Sequence, residues 1–347
     1  MAAFPAAFLT AVLSDYMIVS NRLISPWILL LASLVLGVAG AWAVSRWGRV
    51  LGWIDLPTER SSHHRATPKG GGIGIAAAVC LSAVWAGMPF QFWAPLAGVS
   101  LLGLTADRFE VPPAPRLAIG FVLAGILLPV LELPWPGSAF LVLAVPLAVF
   151  IVGTANFFNF MDGINGIAGL TGVVGFGLLA LSIGSQGGDS RYVCLALGTA
   201  AACLGFLPFN LPAARVFMGD AGSLLLGFLF AVLALAGARS VLQFIVHAAF
   251  LLPFYLDELF TMVLRIRDGE ALTRPHRRHL YQLLANEMGM AHWRISLGYA
   301  AAQLIVGLIA LRLMAAGPAA VLAFLAAAGI GFGGCAARVR RRVGSRG

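Results

Sequence analysis

The amino-acid sequence predicts an all-α protein, a polytopic bundle of transmembrane helices. Of its 347 residues, 60% are hydrophobic and only 11% are charged, and the mean hydropathy is +0.91. Long uncharged stretches recur along the whole chain. Because hydrocarbon cannot hydrogen-bond the backbone, each spanning stretch must be a helix, and the alternating pattern of a membrane β-barrel is absent.

Eleven apolar stretches are candidate spans. They lie near residues 25–45, 71–88, 91–105, 117–133, 138–155, 166–184, 192–210, 221–238, 242–264, 293–314 and 317–336. The shortest falls below the ~20 residues that cross a bilayer, so tilt or loop residues must make up its length. No internal repeat or linker divides the chain, which predicts one integral membrane domain over 1–347, with its polar motifs within about 50–290.

The distribution of Lys and Arg predicts the orientation of the bundle. Alternate loops and the C-terminal tail hold 19 of the 23 basic residues. These segments are 46–70, 106–116, 156–165, 211–220, 265–294 and 337–347. The positive-inside rule places them in the cytoplasm and the N-terminus in the periplasm. The net charge of +9 is therefore mostly a topology signal, and no nucleic-acid partner is needed to explain it.

The N-terminal sequence argues against a cleaved signal peptide, and the positions of the cysteines argue against redox chemistry. Residues 1–20 lack a basic segment before their short apolar run, so a cleaved signal peptide is not expected. A periplasmic lead-in and an overlong start both remain open for this segment. The four cysteines lie within predicted spans without metal or disulfide spacing, which sets redox chemistry aside.

Aspartates stand at the ends of three apolar stretches, at Asp107, Asp162 and Asp220. A carboxylate near hydrocarbon is costly unless it is paired or metal-bound, so it usually marks function. For Asp107, an ion pair with Arg108 or Arg116 is an alternative of equal weight. Asp220 precedes an apolar stretch, where an N-cap and a ligand for a hard cation such as Mg²⁺ are both compatible with its position.

Two neighbouring segments add polar groups to the same predicted face. Asn156, Asn159, Asp162 and Asn165 recur every three residues, which places them on about one face if the helix continues. This pattern favours a polar site over a structural turn. Lys69 precedes a run of three glycines whose backbone N–H groups can meet an anion, although packing is the commoner use of such glycines.

The loop at 274–282 reads Arg-Pro-His-Arg-Arg-His-Leu-Tyr-Gln and brings His276, Arg277 and His279 together. Such donors can hydrogen-bond a diphosphate, while a basic segment of this kind also binds anionic lipid. Carboxylates, amides and basic groups on one membrane face together predict metal-assisted phosphate chemistry.

Five segments together resemble the polyprenyl-phosphate N-acetylhexosamine-1-phosphate transferases (glycosyltransferase family 4). This family includes the WecA-type initiators of O-antigen synthesis and the MraY translocases of peptidoglycan synthesis. The matching segments, in family order, are 68–72, 104–109, 156–166, 216–227 and 276–282. The last segment is most similar to the WbpL-like branch that starts lipopolysaccharide O-antigen chains.

The resemblance implies a reaction. N-acetylhexosamine-1-phosphate would move from a UDP-N-acetylhexosamine to undecaprenyl phosphate, releasing UMP and forming undecaprenyl-diphospho-sugar. It also implies Mg²⁺ as cofactor, with Mn²⁺ as an alternative, and an active site on the cytoplasmic face of the bacterial inner membrane. Membrane lipids are the expected surroundings, and a homodimer is left open.

The resemblance further implies roles for individual residues. Asp220 is similar to the metal ligand, and Asp107 and Asp162 to the remaining catalytic carboxylates. Phe217 is similar to the aromatic residue that stacks on uracil. The other substrate-binding candidates are Lys69, Asn156, Asn159, Asn165, Asn210, His276, Arg277 and His279.

The chain departs from the family pattern at two positions. Ala106 stands where the family usually has the first of two adjacent aspartates, and Asn165 stands where many members have Asp. Two alternatives to an active transferase therefore stay open. One is an impaired member that still binds nucleotide-sugar or lipid. The other is a membrane transporter, although a transporter would place ionisable residues near the midplane between repeats.

Overall fold

The structure is a computed structural model that describes residues 26–57, 62–63, 65–109, 111–131, 133, 137–271 and 276–344, with no side chains for 137–141. The predictions for residues 1–20 and for the N-terminus lie outside these residues.

Helices account for nearly all of the described chain. In order they are α1 (Pro26–Leu51), α2 (Ile73–Trp85), α3 (Phe90–Arg108), α4 (Pro113–Leu127), α5 (Gly137–Met161), α6 (Ile167–Ser185), α7 (Ser190–Asn210), α8 (Asp220–Ala236), α9 (Val241–Ala249), α10 (Leu252–Arg267), α11 (Leu280–Gln282), α12 (His292–Leu313) and α13 (Pro318–Gly344). Each predicted span coincides with one helix or, near 242–264, with the pair α9 and α10. The all-α, polytopic class is confirmed.

The number of membrane crossings remains a prediction. In the described part of the chain, seven helices are long and apolar enough to cross a membrane, or eight if α9 and α10 form one broken span bent by 79°. The helices α2 and α8 are apolar but shorter. Outer helices expose large apolar side chains such as Leu31, Val145 and Ile330, as a surface that faces lipid requires.

A small hairpin in the first loop was not predicted. Strands β1 (Ile54–Asp55) and β2 (Thr67–Pro68) pair antiparallel. Immediately after β2, the chain pairs with the segment before α8: Phe217 N donates to Pro68 O at 2.8 Å, and Gly71 N donates to Phe217 O at 2.9 Å. These backbone bonds place Lys69 beside the start of α8.

The centre of the bundle is α8, whose residues after Asp220 are all buried and almost all apolar. A helix that is hydrophobic on every side belongs in the interior. It packs chiefly against α3 and α5. Glycines permit the close approach: a Cβ at Gly103 would overlap the backbone of Asp220, and a Cβ at Gly227 would lie 2.7 Å from Ala155 Cα. This packing brings the ends of α3 and α5 to the start of α8.

Candidate active site

A cavity of about 330 Å³ opens where α3 and α5 end and α8 begins. Most of its wall is polar or charged. It is lined by Asp55, Ser62, His63, Lys69, Asp107, Asn159, Asp162, Gly163, Ile164, Asn210, Phe217, Gly219, Asp220 and Gln282. All three aspartates that the sequence singled out therefore meet in one cavity.

Asp107 caps α8 from a neighbouring helix. It is 5% exposed, and its Oδ1 and Oδ2 accept hydrogen bonds from the backbone N–H groups of Asp220 and Ala221, both at 3.1 Å. An ion pair of Asp107 with Arg108 or Arg116, the alternative considered above, is not formed. The free N–H groups at the start of α8 supply the charge stabilisation that Asp107 needs. Arg108 instead lies over the Phe109 ring.

Gly219 makes this cap geometrically feasible. Its φ of 72° lies in the left-handed region, which glycine adopts without the steric cost that a side chain would impose. A Cβ at this position would also overlap Oδ2 of Asp107. The N-cap position of α8 belongs to Gly219, so the N-cap alternative for Asp220 is wrong, while the alternative of a cation ligand stays a prediction.

Asp220 is the first residue of α8 and directs its carboxylate to the cavity. Its Oδ1 accepts a hydrogen bond from Asn159 Nδ2 at 2.8 Å, and its Oδ2 lies 2.7 Å from Arg116 Nη2. Asn159 Nδ2 also donates to Ser223 Oγ at 2.8 Å. Residues from α4, α5 and α8 thus orient one carboxylate.

Asp162 follows the last residue of α5 and is half-buried. Among the described residues its carboxylate accepts no hydrogen bond. Its pKa is raised well above the ordinary value, first by burial and then by the negative charges of Asp220 and Asp107. A bound cation would relieve this repulsion.

The donors in the cavity fit a hard divalent cation. No three His, Cys, Asp or Glu side chains of the described residues form a metal-binding group by themselves. Mg²⁺ is commonly held by one or two carboxylates, with substrate phosphates and water as its other ligands. Asp220 and Asp162 offer carboxylate oxygens, and Asn159 offers an amide oxygen, all on the wall of one cavity.

The raised pKa of Asp162 predicts a pH dependence of stability. The folded state holds this proton more tightly than the unfolded chain, so the contribution of Asp162 is present below the ordinary pKa of ~3.9 and is lost as pH rises towards the raised value. We expect thermal stability without metal to fall with pH less steeply in Asp162→Asn than in the unmodified protein. Added Mg²⁺ should raise Tm more at ~pH 8 than at ~pH 5, since the ionised form binds it.

Thermal unfolding followed by tryptophan fluorescence would measure both effects. The comparison between the two proteins removes the contribution of other titrating groups. Equal slopes with pH for the two proteins would contradict the assignment to Asp162.

Phe217, Lys69 and Asn210 also lie on the cavity wall. The Phe217 ring faces the His63 ring edge-on, with centroids 4.8 Å apart. Asn210 is buried and ties together two loops: its Oδ1 accepts from Gly166 N at 2.5 Å, and its Nδ2 donates to Val216 O at 2.9 Å. Its amide is thus already committed to the backbone.

Asn156 and Asn165 do not line this cavity. The helix α5 ends at Met161, so the spacing of three residues does not continue on one helical face through Asn165. Asn156 Nδ2 donates to Val152 O of its own helix at 2.7 Å. Asn165 Nδ2 donates to Pro212 O at 3.2 Å. The chain leaves the helix before Gly166, whose φ is 84°.

His276, Arg277 and His279 also lie outside the cavity lining, and Arg274 lies outside the described residues. His279 is buried, with its Nε2 3.3 Å from Glu258 Oε2. Burial, followed by electrostatic interaction with His279 and Arg265, lowers the pKa of His276 to about 4. The neutral form of the His276 imidazole is thereby favoured. Among the described residues of 276–282, Gln282 is the one that lines the cavity.

Several polar residues of the cavity wall, and the ion pair of Arg116 with Asp220, were not among the predicted site residues. Asp55 and His63 line the cavity, and the signal for them was their place in the basic loop that carries Lys69. No local pattern connects Arg116 with Asp220 or places Gln282 on the same cavity wall, because these residues belong to distant parts of the chain.

The fold and the cavity define a polytopic membrane protein with an oxygen-rich anionic site at one end of its bundle. Residues 90–238, which carry all three aspartates, match glycosyl transferase family 4. The chain belongs to this family, the WecA and MraY superfamily that the five segments resemble. The placement in the WbpL-like branch remains a prediction.

Curated relatives cover most of the chain. A decaprenyl-phosphate N-acetylglucosaminephosphotransferase of Mycobacterium tuberculosis (strain H37Rv) is 31% identical over 292 residues, 71% of this chain and 72% of the relative. A probable undecaprenyl-phosphate N-acetylglucosaminyl 1-phosphate transferase of Bacillus subtilis is 28% identical, covering 70% and 72%. An undecaprenyl-phosphate alpha-N-acetylglucosaminyl 1-phosphate transferase of Thermotoga maritima is 29% identical, covering 68% and 74%.

Proposed function

We propose that the protein transfers an N-acetylhexosamine-1-phosphate from a UDP-sugar to undecaprenyl phosphate at the cytoplasmic face of the bacterial inner membrane. The observation that carries the proposal is the convergence of Asp107, Asp162 and Asp220 in one cavity with Lys69 and Phe217. The names of the relatives support the same class of reaction. The product, undecaprenyl-diphospho-sugar, would initiate an O-antigen or another envelope polysaccharide.

The transfer is a displacement at the phosphorus that carries the sugar. An oxygen of the lipid phosphate forms a bond to this phosphorus, and the bond to the bridging oxygen breaks, so that its electron pair leaves with UMP. A phosphate monoester is mostly dianionic near neutral pH, so alignment and charge screening matter more than a strong base. When bound, Mg²⁺ would neutralise charge on the diphosphate.

Different residues of the cavity would hold the cation, accept a proton and bind the donor. Asp107 holds the start of α8 and thereby orients Asp220, which would hold the cation together with Asn159. Asp162 has an unpartnered carboxylate among the described residues and can take a residual proton from the acceptor. Lys69 offers positive charge to the diphosphate, and the half-buried Phe217 ring offers a stacking surface for uracil.

Arg116 connects the cavity with a second, apolar crevice. It pairs with Asp220 and also lines the crevice with side chains that include Leu102, Val152 and Phe228. Beside Asp220, its guanidinium would offer positive charge to the acceptor phosphate. An Arg is suited to this because its planar donors match phosphate oxygens.

Ala106 favours a second candidate function. With alanine where the family resemblance implies an aspartate, the chain can bind nucleotide-sugar with little turnover. Binding without UMP release would identify this impaired form, and Ala106→Asp is the substitution that tests it.

The identity of the donor is tested with a panel of UDP-sugars. We expect a UDP-linked 2-acetamido hexose, including 6-deoxy forms, to be preferred at least ~10-fold over UDP-MurNAc-pentapeptide, a discrimination that a few pocket contacts can supply. The measurement is UMP release with undecaprenyl phosphate and Mg²⁺, using the unmodified chain and Ala106→Asp. Preference for UDP-MurNAc-pentapeptide would overturn the branch prediction. Absence of UMP release from every donor with both proteins would overturn the transferase proposal.

A further inference from the structure

A buried carboxylate behind the cavity holds the segment that contains Gln282. Asp257 of α10 is 0% exposed. Its Oδ1 accepts a hydrogen bond from Leu280 N at 2.7 Å, and its Oδ2 accepts from Tyr281 N at 3.3 Å and from Tyr299 Oη at 2.6 Å. Three donors from two other helices therefore fix the short helix α11 against α10 and α12.

Tyr281 connects the short helix α11 with the backbone on both sides of Asp162. Its side chain is 1% exposed, and its hydroxyl donates to Phe160 O at 2.9 Å. That carbonyl lies in the last turn of α5, where carbonyls lack partners within their own helix. On the other side of Asp162, a Cβ at Gly163 would overlap the Tyr281 hydroxyl and lie 2.9 Å from its Cζ. One side chain thus supports the residues on both sides of Asp162.

The position of Asp162 depends on this support. Its carboxylate has no hydrogen-bond partner among the described residues, so the backbone at 160–163 sets where it points. Asp162 N donates to Asn159 O at 3.1 Å, which continues the same backbone turn. The helix that supplies Tyr281 also supplies Gln282 to the cavity wall.

We propose that Tyr281, held by Asp257, is a positioning residue that sets the place of the Asp162 carboxylate in the cavity. The inference rests on the proposed function for its effect on turnover. Its structural content, the support of the turn at 160–163, is independent of which reaction the cavity performs.

The first test removes the hydroxyl alone. Tyr281→Phe should lower kcat by about tenfold, the effect of one hydrogen bond, with KM for the UDP-sugar changed less than ~2-fold, since Asp162 would act in the chemical step. Hydrogen exchange at the amides of 160–166 should become faster. The matched control is Tyr255→Phe, which removes a half-buried hydroxyl from the same helix as Asp257, where it pairs with Thr154 at 2.9 Å, and should change neither measurement.

The second test changes Gly163, which packs against the Tyr281 hydroxyl. Gly163→Ala places a methyl group against the Tyr281 hydroxyl and should lower kcat by about 10²-fold, as small displacements of reacting groups do. In the double variant with Tyr281→Phe, the loss should be smaller than the product of the two single losses, because the overlapping hydroxyl is gone. All variants are prepared in both the unmodified chain and Ala106→Asp.

The two measurements separate the two proposals. Faster exchange at 160–166 in Tyr281→Phe, without any transfer by any form, would support positioning and overturn the proposed function. Unchanged exchange and unchanged kcat in a folded Tyr281→Phe protein would overturn positioning. If Tyr281→Phe does not fold, a Gly163→Ala protein with wild-type kcat and exchange would overturn it equally.

Discussion

Asp220→Asn should abolish sugar-phosphate transfer, with a loss of at least ~10³-fold in kcat. Asparagine keeps the size of the side chain but removes the charge that faces Arg116 and that would hold a cation beside the diphosphate. The bundle should stay folded, because Asp107 caps the backbone N–H of residue 220 and that of Ala221 regardless of the side chain at 220.

The measurement is UMP release with a UDP-sugar, undecaprenyl phosphate and Mg²⁺. Asp189→Asn is the matched control, because Asp189 is 27% exposed and paired with Arg191, against 26% for Asp220 paired with Arg116. Asp189 caps the end of α7 that is remote from the cavity. Because asparagine caps a helix about as well as aspartate, Asp189→Asn should cost less than about 1 kcal/mol of stability and leave transfer within ~2-fold. Near wild-type transfer by Asp220→Asn, or by the unmodified protein in EDTA, would contradict the metal assignment.

Ala106→Asp should raise the transfer rate by at least ~10²-fold, the lower range for one positioned acid-base group. Ala106 lies in the last turn of α3, next to Asp107, and is half-buried. Its methyl group is not among the described atoms that line the cavity, whereas the longer aspartate side chain extends further and adds a charge. Repulsion from Asp107 is tolerable with Mg²⁺ or a guanidinium nearby.

UMP release under saturating lipid and Mg²⁺ should be compared for the two proteins, with UDP-sugar binding measured by calorimetry. Binding should be similar in both, because Lys69, Phe217 and Asp220 are unchanged. Thr105→Asp is the control, since it adds the same charge at an exposed position of the same helix end and should not accelerate transfer. Equal rates for the unmodified chain and Ala106→Asp would mean that a paired carboxylate at position 106 has no role.

The apolar pattern of the chain predicts the helices and the meeting of the three aspartates in one cavity. Each predicted span matches a helix or helix pair because long uncharged segments have no other stable conformation in lipid. The aspartates at the ends of these segments meet in one cavity, since carboxylates are excluded from hydrocarbon and collect where helices end. Local patterns are sufficient for both results.

Local patterns fail where contacts join distant segments. The spacing of Asn156 to Asn165 suggested a common face, but α5 ends at Met161 and the two asparagines bind backbone carbonyls elsewhere. The histidines of 276–279 suggested phosphate binding, but His279 is buried against Glu258. Hydrogen bonds to backbone carbonyls engage the asparagines, and a buried contact with Glu258 engages His279, although by sequence these groups were available to a ligand.

Only the packing of the bundle decides which groups act together. Asp107 caps α8, Arg116 pairs with Asp220, and Tyr281 supports the turn beside Asp162. None of these pairs is close in the chain. A helix such as α8, apolar on every side, carries no periodic signal for its neighbours. Its partners are selected by shape, through the close approaches that Gly103 and Gly227 allow, and shape complementarity exists only once the helices are assembled.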